Sequence, residues 1–263
     1  MERAKQWCGP YVLALLMITL TGSFVTANAQ TGDQSPPPAA VLLEQDGVYD
    51  FRGQVITCHP GEEVGIWAKS TVSLTIANVV IEGCSVGIMV TGSTTNNTLG
   101  ATTQGAKQTW SAHVHRVKMQ VTTIGIFAAG SHGTITSNIV GGATYGIVVT
   151  GDDYTLVDNQ SNDNLEDGFL ITGDRNLLEG NEALRNGGVG IHVARMVPMV
   201  GNHHFLSFIQ DRAVSNVIRG NTALDNKKRD LEEFADCMSP PFPPLANEWT
   251  NNIFKRRRPD CIQ

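Results

Sequence analysis

Acidic residues recur at one place in neighbouring segments of this sequence. Asp152 and Asp174 lie 22 residues apart, Asp153 and Arg175 directly follow them, and His132 stands about one such interval earlier. If the intervals are turns of one coil, the two carboxylates lie about 5 Å apart and could share a proton or hold Ca²⁺. The column therefore predicts a catalytic group of these five residues, with a metal site at Asp152 and Asp174. The alternative is ordinary Gly-Asp turn chemistry that recurs because the turn recurs.

A basic group lies in the segment His113-Val-His115-Arg116. Because Val114 alternates with the two histidines, both would face outward on a strand. Their positive character could bind sulfate, phosphate or uronate groups of a substrate. The alternative is a solvated outer strand with no ligand.

Further histidines surround a later segment of the chain. His192 and Arg195 precede His203 and His204 within 13 residues. Imidazole is a common metal ligand, but the sequence places no carboxylate partner beside these side chains.

A repeat of 21 to 22 residues must position all of these groups. The repeat begins each time with a glycine followed by an apolar residue, at Gly65, Gly87, Gly125, Gly146, Gly168 and Gly190. A degenerate seventh place falls at Asp230. Two intervals are longer, 38 and 40 residues, which predicts inserted loops near residues 92–110 and 196–213.

Asparagine columns keep the same register as the glycines. One column stands about nine residues before each strand and is interrupted by Arg116; its members are Asn78, Asn138, Asn159, Asn181 and Asn221. Another stands four residues before, at Asn164, Asn186 and Asn226. Asparagine tolerates a left-handed turn, and stacked amides bond from one turn to the next. The columns predict a coil of stacked parallel strands, each turn about 4.8 Å from its neighbour.

The repeats at residues 159–169 and 181–191 resemble the right-handed β-helix repeats of the pectate-lyase-like superfamily. The resemblance covers roughly residues 50–232 and implies an all-β, single-stranded right-handed parallel β-helix of about seven turns. In lyases of this type, Ca²⁺ neutralises a uronate carboxylate while Arg or Lys removes the neighbouring proton, a role that Arg175 could take. The superfamily also contains hydrolases, epimerases, tailspikes and adhesins, so the fold alone does not assign a function.

In enzymes that resemble this chain, substrate lies along an outer strand face. The outward residues of the strands that follow each glycine form a mostly apolar stripe: Trp67, Met89, Phe127, Val148, Leu170 and His192. This stripe could stack on sugar rings and bind substrate, contact a partner protein or a second copy, or be covered by the chain's own loops.

The two ends of the chain differ from the repeat. Residues 1–29 have a basic start, an apolar run and a small-residue cleavage site, as in a secretory signal peptide. We expect a leader and N-terminal cap over residues 30–49, the β-helix over 50–236 and a C-terminal cap over 237–263. No other long apolar segment exists, so no membrane span is expected after signal removal, and the chain is predicted to be secreted or periplasmic.

Four cysteines remain after signal removal. Such an even count in an exported chain suggests two disulfides, and the pairs closest in sequence are Cys58 with Cys84 and Cys237 with Cys261. The second pair would close the C-terminal cap.

The net charge of the chain limits the classes of molecule that it is expected to bind. The whole chain has a formal charge of −6; the signal segment contains one acidic and two basic residues, so its removal leaves −7. An acidic chain argues against a nucleic-acid partner.

Taken together, the residues predict an exported β-helix that binds or acts on extracellular polysaccharide. An acidic polymer would suit lyase, hydrolase or epimerase chemistry, with Ca²⁺ as the candidate cofactor. The alternative is a non-catalytic structural, adhesive or partner-binding β-helix, and the sequence leaves open which of the two applies.

Overall fold

The computed structural model describes most of the coil. The described residues are 38–70, 73–92, 111–115, 117–121, 123–129, 131–194, 213–233, 246–259 and 262. The predicted signal peptide, Arg116, Cys237 and Cys261 lie outside them, as do both predicted insertions apart from the end residues Gly92 and Ala213.

The described elements are β-strands, arranged as three faces of a coil. Face 1 is a nine-stranded parallel sheet made of β1 (Ala39–Leu43), β3 (Val64–Ser70), β5 (Val86–Gly92), β8 (Ile124–Ala128), β11 (Tyr145–Val149), β14 (Phe169–Ile171), β17 (Val189–Val193), β20 (Arg229–Glu233) and β22 (Arg257–Arg258). Strands stand at all seven predicted places, and β1 and β22 add one at each end.

Faces 2 and 3 belong to one thirteen-stranded sheet among the described residues. Two longer strands, β2 (Gly47–Thr57) and β4 (Ser73–Glu82), run across both faces. Face 2 continues with β7 (Lys118–Gln120), β10 (Ile139–Gly141), β13 (Gln160–Asn162), β16 (Glu182–Leu184) and β19 (Thr222–Leu224). Face 3 continues with β6 (Ser111–His115), β9 (Thr134–Thr136), β12 (Thr155–Val157), β15 (Leu177–Glu179), β18 (Val217–Arg219) and β21 (Glu248–Thr250). The larger sheet is continuous because β4 pairs with β6 at one end and with β7 at the other.

Every strand pair among the described residues is parallel and joins one turn to the next, which confirms the predicted parallel β-helix. The apolar residues that follow the glycines, together with Leu231 at the degenerate place, form an interior column that is in register and buried: Ile66, Ile88, Ile126, Ile147, Phe169, Ile191 and Leu231. None of the described residues forms a helix long and apolar enough to cross a membrane.

The glycine column is explained by close approach between turns. A Cβ at Gly125 would lie 2.6 Å from the carbonyl oxygen of Gly146, and a Cβ at Gly146 would lie 2.5 Å from that of Gly168. Real side chains do not tolerate such distances, so the strands can stack here only where Cβ is absent.

Both predicted asparagine columns form hydrogen-bonded ladders, apart from Asn78, whose Nδ2 donates to Oδ1 of Asp50 instead. In the first ladder Nδ2 of each residue donates to Oδ1 of the next, from Asn138 through Asn159, Asn181 and Asn221 to Asn252, at 2.9 to 3.0 Å. In the second, Asn164, Asn186 and Asn226 do the same. These amides satisfy buried backbone groups where the chain changes direction, which keeps the corners of successive turns in register.

The C-terminal tail differs from the expectation that it leaves the repeat. β21 pairs with β18 and β22 pairs with β20, so residues 248–258 add a further partial turn. Trp249 and Ile262 are buried against the core at this end.

The first predicted disulfide is present. Cys58 and Cys84 are bonded, with Cα atoms 5.1 Å apart, and tie β2 to the corner before β5. The predicted Cys237–Cys261 bond lies outside the described residues.

Candidate functional site

The predicted acidic column is brought together at a corner of the coil. Asp152 Oδ1 accepts the backbone N–H of Asp174 at 2.8 Å, and Asp174 Oδ1 accepts that of Val214 at 2.8 Å. Each carboxylate therefore uses one oxygen to hold the next turn, as repeated turn chemistry requires.

Asp152 and Asp153 also contact a guanidinium. Arg175 Nε donates to Asp153 Oδ1 at 2.8 Å, and its Nη2 donates to Asp153 Oδ2 at 2.9 Å and to Asp152 Oδ2 at 3.2 Å. His132 Nε2 lies 3.6 Å from Asp153 Oδ2. The hydrogen bond with Asp153 raises the pKa of Arg175 further above its usual range, which opposes a role as a base. The column is thus an ion-paired network whose positive charge is already supplied by the protein.

The basic group after the first insertion is only partly described. His113 and His115 lie on β6, paired with Thr134 and Thr136 of β9. The positions of their side chains and of Arg116 lie outside what the structure describes, so the anion-binding hypothesis stays a prediction.

The outer stripe of face 1 is in register along the coil, as predicted, and it is buried. The side chains of Trp67, Met89, Phe127, Val148 and Leu170 are between 1 and 8% exposed. They pack into one cluster together with Val64, Val86 and Ile124. A sugar ring can stack only on an exposed aromatic face, so this geometry supports coverage by protein more than direct sugar binding.

Towards the C-terminal end of face 1 the outward positions become polar. His192 on β17 is the register neighbour of Leu170 on one side and of Glu232 on the other. Its Nδ1 lies 2.8 Å from Oδ2 of Asp167, and its side chain is 23% exposed. Asp167 Oδ1 accepts the backbone N–H of Val189 at 2.7 Å. This is the carboxylate partner that sequence reasoning did not find for the histidines.

Charged groups surround this pair. Lys228 Nζ lies 2.8 Å from Glu166 Oε2, and Arg229 Nη1 lies 3.3 Å from Glu232 Oε1. Burial raises the pKa of Tyr145 to about 12, with smaller contributions from the negative charges of Asp167 and Glu166. His192 is therefore partly buried among both acidic and basic side chains.

This arrangement can do two kinds of chemistry. With Nδ1 donating to a carboxylate, the ring presents its Nε2 lone pair, and no described residue forms a hydrogen bond to that atom. Such an imidazole can ligate a metal or accept a proton. Within the described residues, no group of three or more His, Cys, Asp or Glu side chains could hold a metal ion by itself.

Comparison with known proteins identifies a matching protein family. A family model described as periplasmic copper-binding protein (NosD) matches residues 27–257. No curated protein and no solved structure matches the chain. The family match agrees with the parallel β-helix and confirms the predicted secreted or periplasmic location. Because the match spans most of its length, the chain belongs to the NosD family of periplasmic copper-binding proteins.

Proposed function

We propose that this chain binds copper in the periplasm and that His192 supplies one ligand through Nε2. The observation that carries the proposal is the 2.8 Å contact between His192 Nδ1 and Asp167 Oδ2. A metal-ligating histidine usually donates its other ring nitrogen to a carboxylate or carbonyl group, and imidazole suits copper.

The described residues fit copper in part. His192 is half-buried and has a suitable second partner, but the soft sulfur ligands are not accessible. Met89 and Met119 are buried in the coil, and Cys58 and Cys84 are joined in a disulfide. His192 is therefore one ligand of an incomplete set.

The sequence that follows His192 contains donors of the required types. Met196, Met199, His203 and His204 all fall within the next 12 residues, outside the described part of the chain. Thioether and imidazole groups are the ligands that copper takes readily, the thioether especially as Cu(I). These four residues are the first to test as partners of His192.

The test is a copper titration of the mature protein against a chromophoric competitor, once with Cu(I) and once with Cu(II). We expect the wild type to bind copper and His192→Ala to bind it more weakly by more than about 100-fold. Loss of a ligand should cost more than loss of its outer partner, which typically costs 10–100-fold.

His59→Ala is the matched control, because His59 is an exposed histidine far along the chain from this site. Its loss should leave the affinity unchanged. Equal losses in both variants would mean scattered surface binding, and an unaltered affinity in His192→Ala would refute the assignment of this ligand.

Binding or processing of polysaccharide is the second candidate, suggested by the exposed ion-paired column of Asp152, Asp153 and Arg175. It ranks second because the apolar stripe is buried and the carboxylates already hold backbone amides and a guanidinium. A partner-binding role for the apolar stripe also ranks second, because it needs these buried side chains to be accessible.

A polysaccharide panel tests this candidate. Pectate, alginate, hyaluronan and neutral glucans, with and without Ca²⁺, would be assayed for reducing ends and for the ultraviolet absorbance of unsaturated uronate. The double variant Asp152→Asn with Asp174→Asn keeps the oxygens that accept backbone N–H groups, so it should fold. Activity that persists in this variant would exclude the acidic column as its source.

A further inference from the structure

We infer that Asp167 is a positioning residue, fixing the ring of His192 in the Nδ1–H tautomer so that Nε2 is the accepting atom. The inference deepens the proposed function, because it names what prepares the ligand. It requires a carboxylate that is itself held rigidly, and a histidine with no competing carboxylate.

The carboxylate of Asp167 is held at both oxygens. Oδ1 accepts the backbone N–H of Val189 at 2.7 Å, while Oδ2 contacts His192 Nδ1 at 2.8 Å. Val189 and His192 are both on β17, so one strand supplies both partners. The Asp167 side chain is only 9% exposed, and a buried, charge-assisted contact of this kind is among the stronger hydrogen bonds.

Gly188 leaves the space that this carboxylate occupies. A Cβ at Gly188 would lie 2.3 Å from Asp167 Oδ1 and 2.8 Å from the carbonyl carbon of Glu166. The φ of Gly188 is not in the left-handed region, so glycine is needed here for space and not for backbone conformation. Gly188 is therefore required for the position of the Asp167 carboxylate.

The other carboxylates nearby have partners of their own. Glu232, the register neighbour of His192, lies 3.3 Å from Arg229 Nη1. Glu166 is paired with Lys228. Among the described carboxylates, Asp167 is therefore the one bonded to the imidazole, and its Oδ2 can only accept from a ring nitrogen that bears the proton.

The experiment is ¹⁵N NMR of histidine-labelled, metal-free protein at alkaline pH, where imidazole is neutral. We expect wild-type His192 in the Nδ1–H tautomer. Asp167→Ala and Gly188→Ala should both move the ring towards the Nε2–H tautomer, which free imidazole side chains prefer. Asp167→Asn has one amide oxygen, and with that oxygen on the Val189 N–H its NH2 group faces Nδ1. This variant should therefore also move the ring towards the Nε2–H tautomer.

Glu166→Gln is the matched control, because it removes a neighbouring negative charge without touching His192. It should leave the tautomer unchanged. If Gly188→Ala disturbs the fold, as judged by its melting temperature, Asp167→Ala and Asp167→Asn still decide the question. An unchanged Nδ1–H tautomer in Asp167→Ala would overturn the inference.

Copper affinity separates this inference from the proposed function. If His192 binds copper, Asp167→Ala should weaken binding by roughly 10–100-fold and Glu166→Gln should not. If wild-type protein binds no copper while Asp167→Ala changes the tautomer, the proposed function fails and the positioning role stands. If copper binds but neither tautomer nor affinity depends on Asp167, the positioning role fails alone.

Discussion

Asn181 tests whether the asparagine ladder holds the turns together. Its Oδ1 accepts from the backbone N–H and from Nδ2 of Asn159, at 3.0 and 2.9 Å. Its Nδ2 donates to Leu156 O at 2.9 Å and to Asn221 Oδ1 at 3.0 Å. Leucine has nearly the same size but makes none of these four bonds, so Asn181→Leu removes partners from groups that water cannot reach.

The expected loss follows from what each group retains. The backbone N–H of Asn159 loses its side-chain acceptor inside the coil, which costs about 1–3 kcal/mol. The Asn159 amide still donates to Ile135 O, and Asn221 Oδ1 still accepts the backbone N–H of Asn181. Three side-chain contacts are lost besides the one to the Asn159 N–H: those of Asn181 with Asn159 Nδ2, Asn221 Oδ1 and Leu156 O. Each of these losses costs about 1 kcal/mol. We expect the free energy of unfolding to fall by about 4–6 kcal/mol.

Urea unfolding followed by circular dichroism measures this loss. Asn162→Leu is the matched control, since Asn162 is partly exposed and its side chain makes two hydrogen bonds, to Glu182 and to the Leu184 amide. We expect the control to lose about 1–2 kcal/mol. Similar losses in the two variants, or a loss below about 1 kcal/mol in Asn181→Leu, would refute the idea that the ladder fixes the corners.

Three further predictions concern the ends and the corner network. The Cys58–Cys84 bond closes a loop of 26 residues, so its reduction should lower stability by about 3–4 kcal/mol in the loop-entropy account; an unchanged melting temperature in reductant would contradict this. Burial raises the pKa of Glu233, so the folded state favours the protonated acid, and this stabilising contribution is lost as pH rises. Glu233→Gln keeps one of the two oxygens that accept from Asn247 and Trp249, but it cannot ionise. Its melting temperature relative to wild type should therefore rise between about pH 4 and about pH 7, and a difference that does not change with pH would exclude ionisation of this carboxyl. Arg175 is half exposed, so Arg175→Gln should cost less than about 1 kcal/mol and even less in high salt; a larger loss would mean that the guanidinium organises the corner.

Much of the fold can be predicted because each turn of the repeat requires the same residue types at the same positions. Glycine at Gly146 and Gly168, and asparagine at Asn159 and Asn181, recur for local reasons: absence of Cβ and a side-chain amide. Since the same requirement returns every 21 to 22 residues, spacing alone specifies strand order, parallel pairing and the interior columns.

The charged column shows that spacing along the chain does not predict side-chain contacts. Spacing correctly placed Asp153 and Arg175 on adjacent turns, but a metal site and an ion-paired network need the same spacing. The guanidinium lies 2.8 to 3.2 Å from the carboxylates of Asp152 and Asp153, and that depends on side-chain rotamers, which the repeat does not determine.

The sequence by itself determined the coil, its register, the first disulfide and the place of the outward stripe, because these depend on backbone spacing. Only the tertiary structure decided that the stripe is buried and that Asp167 meets His192. These two residues are 25 apart and occupy different outward columns of neighbouring turns. Their contact is diagonal, made by side chains reaching across the face between strands, and no periodicity along the chain records it.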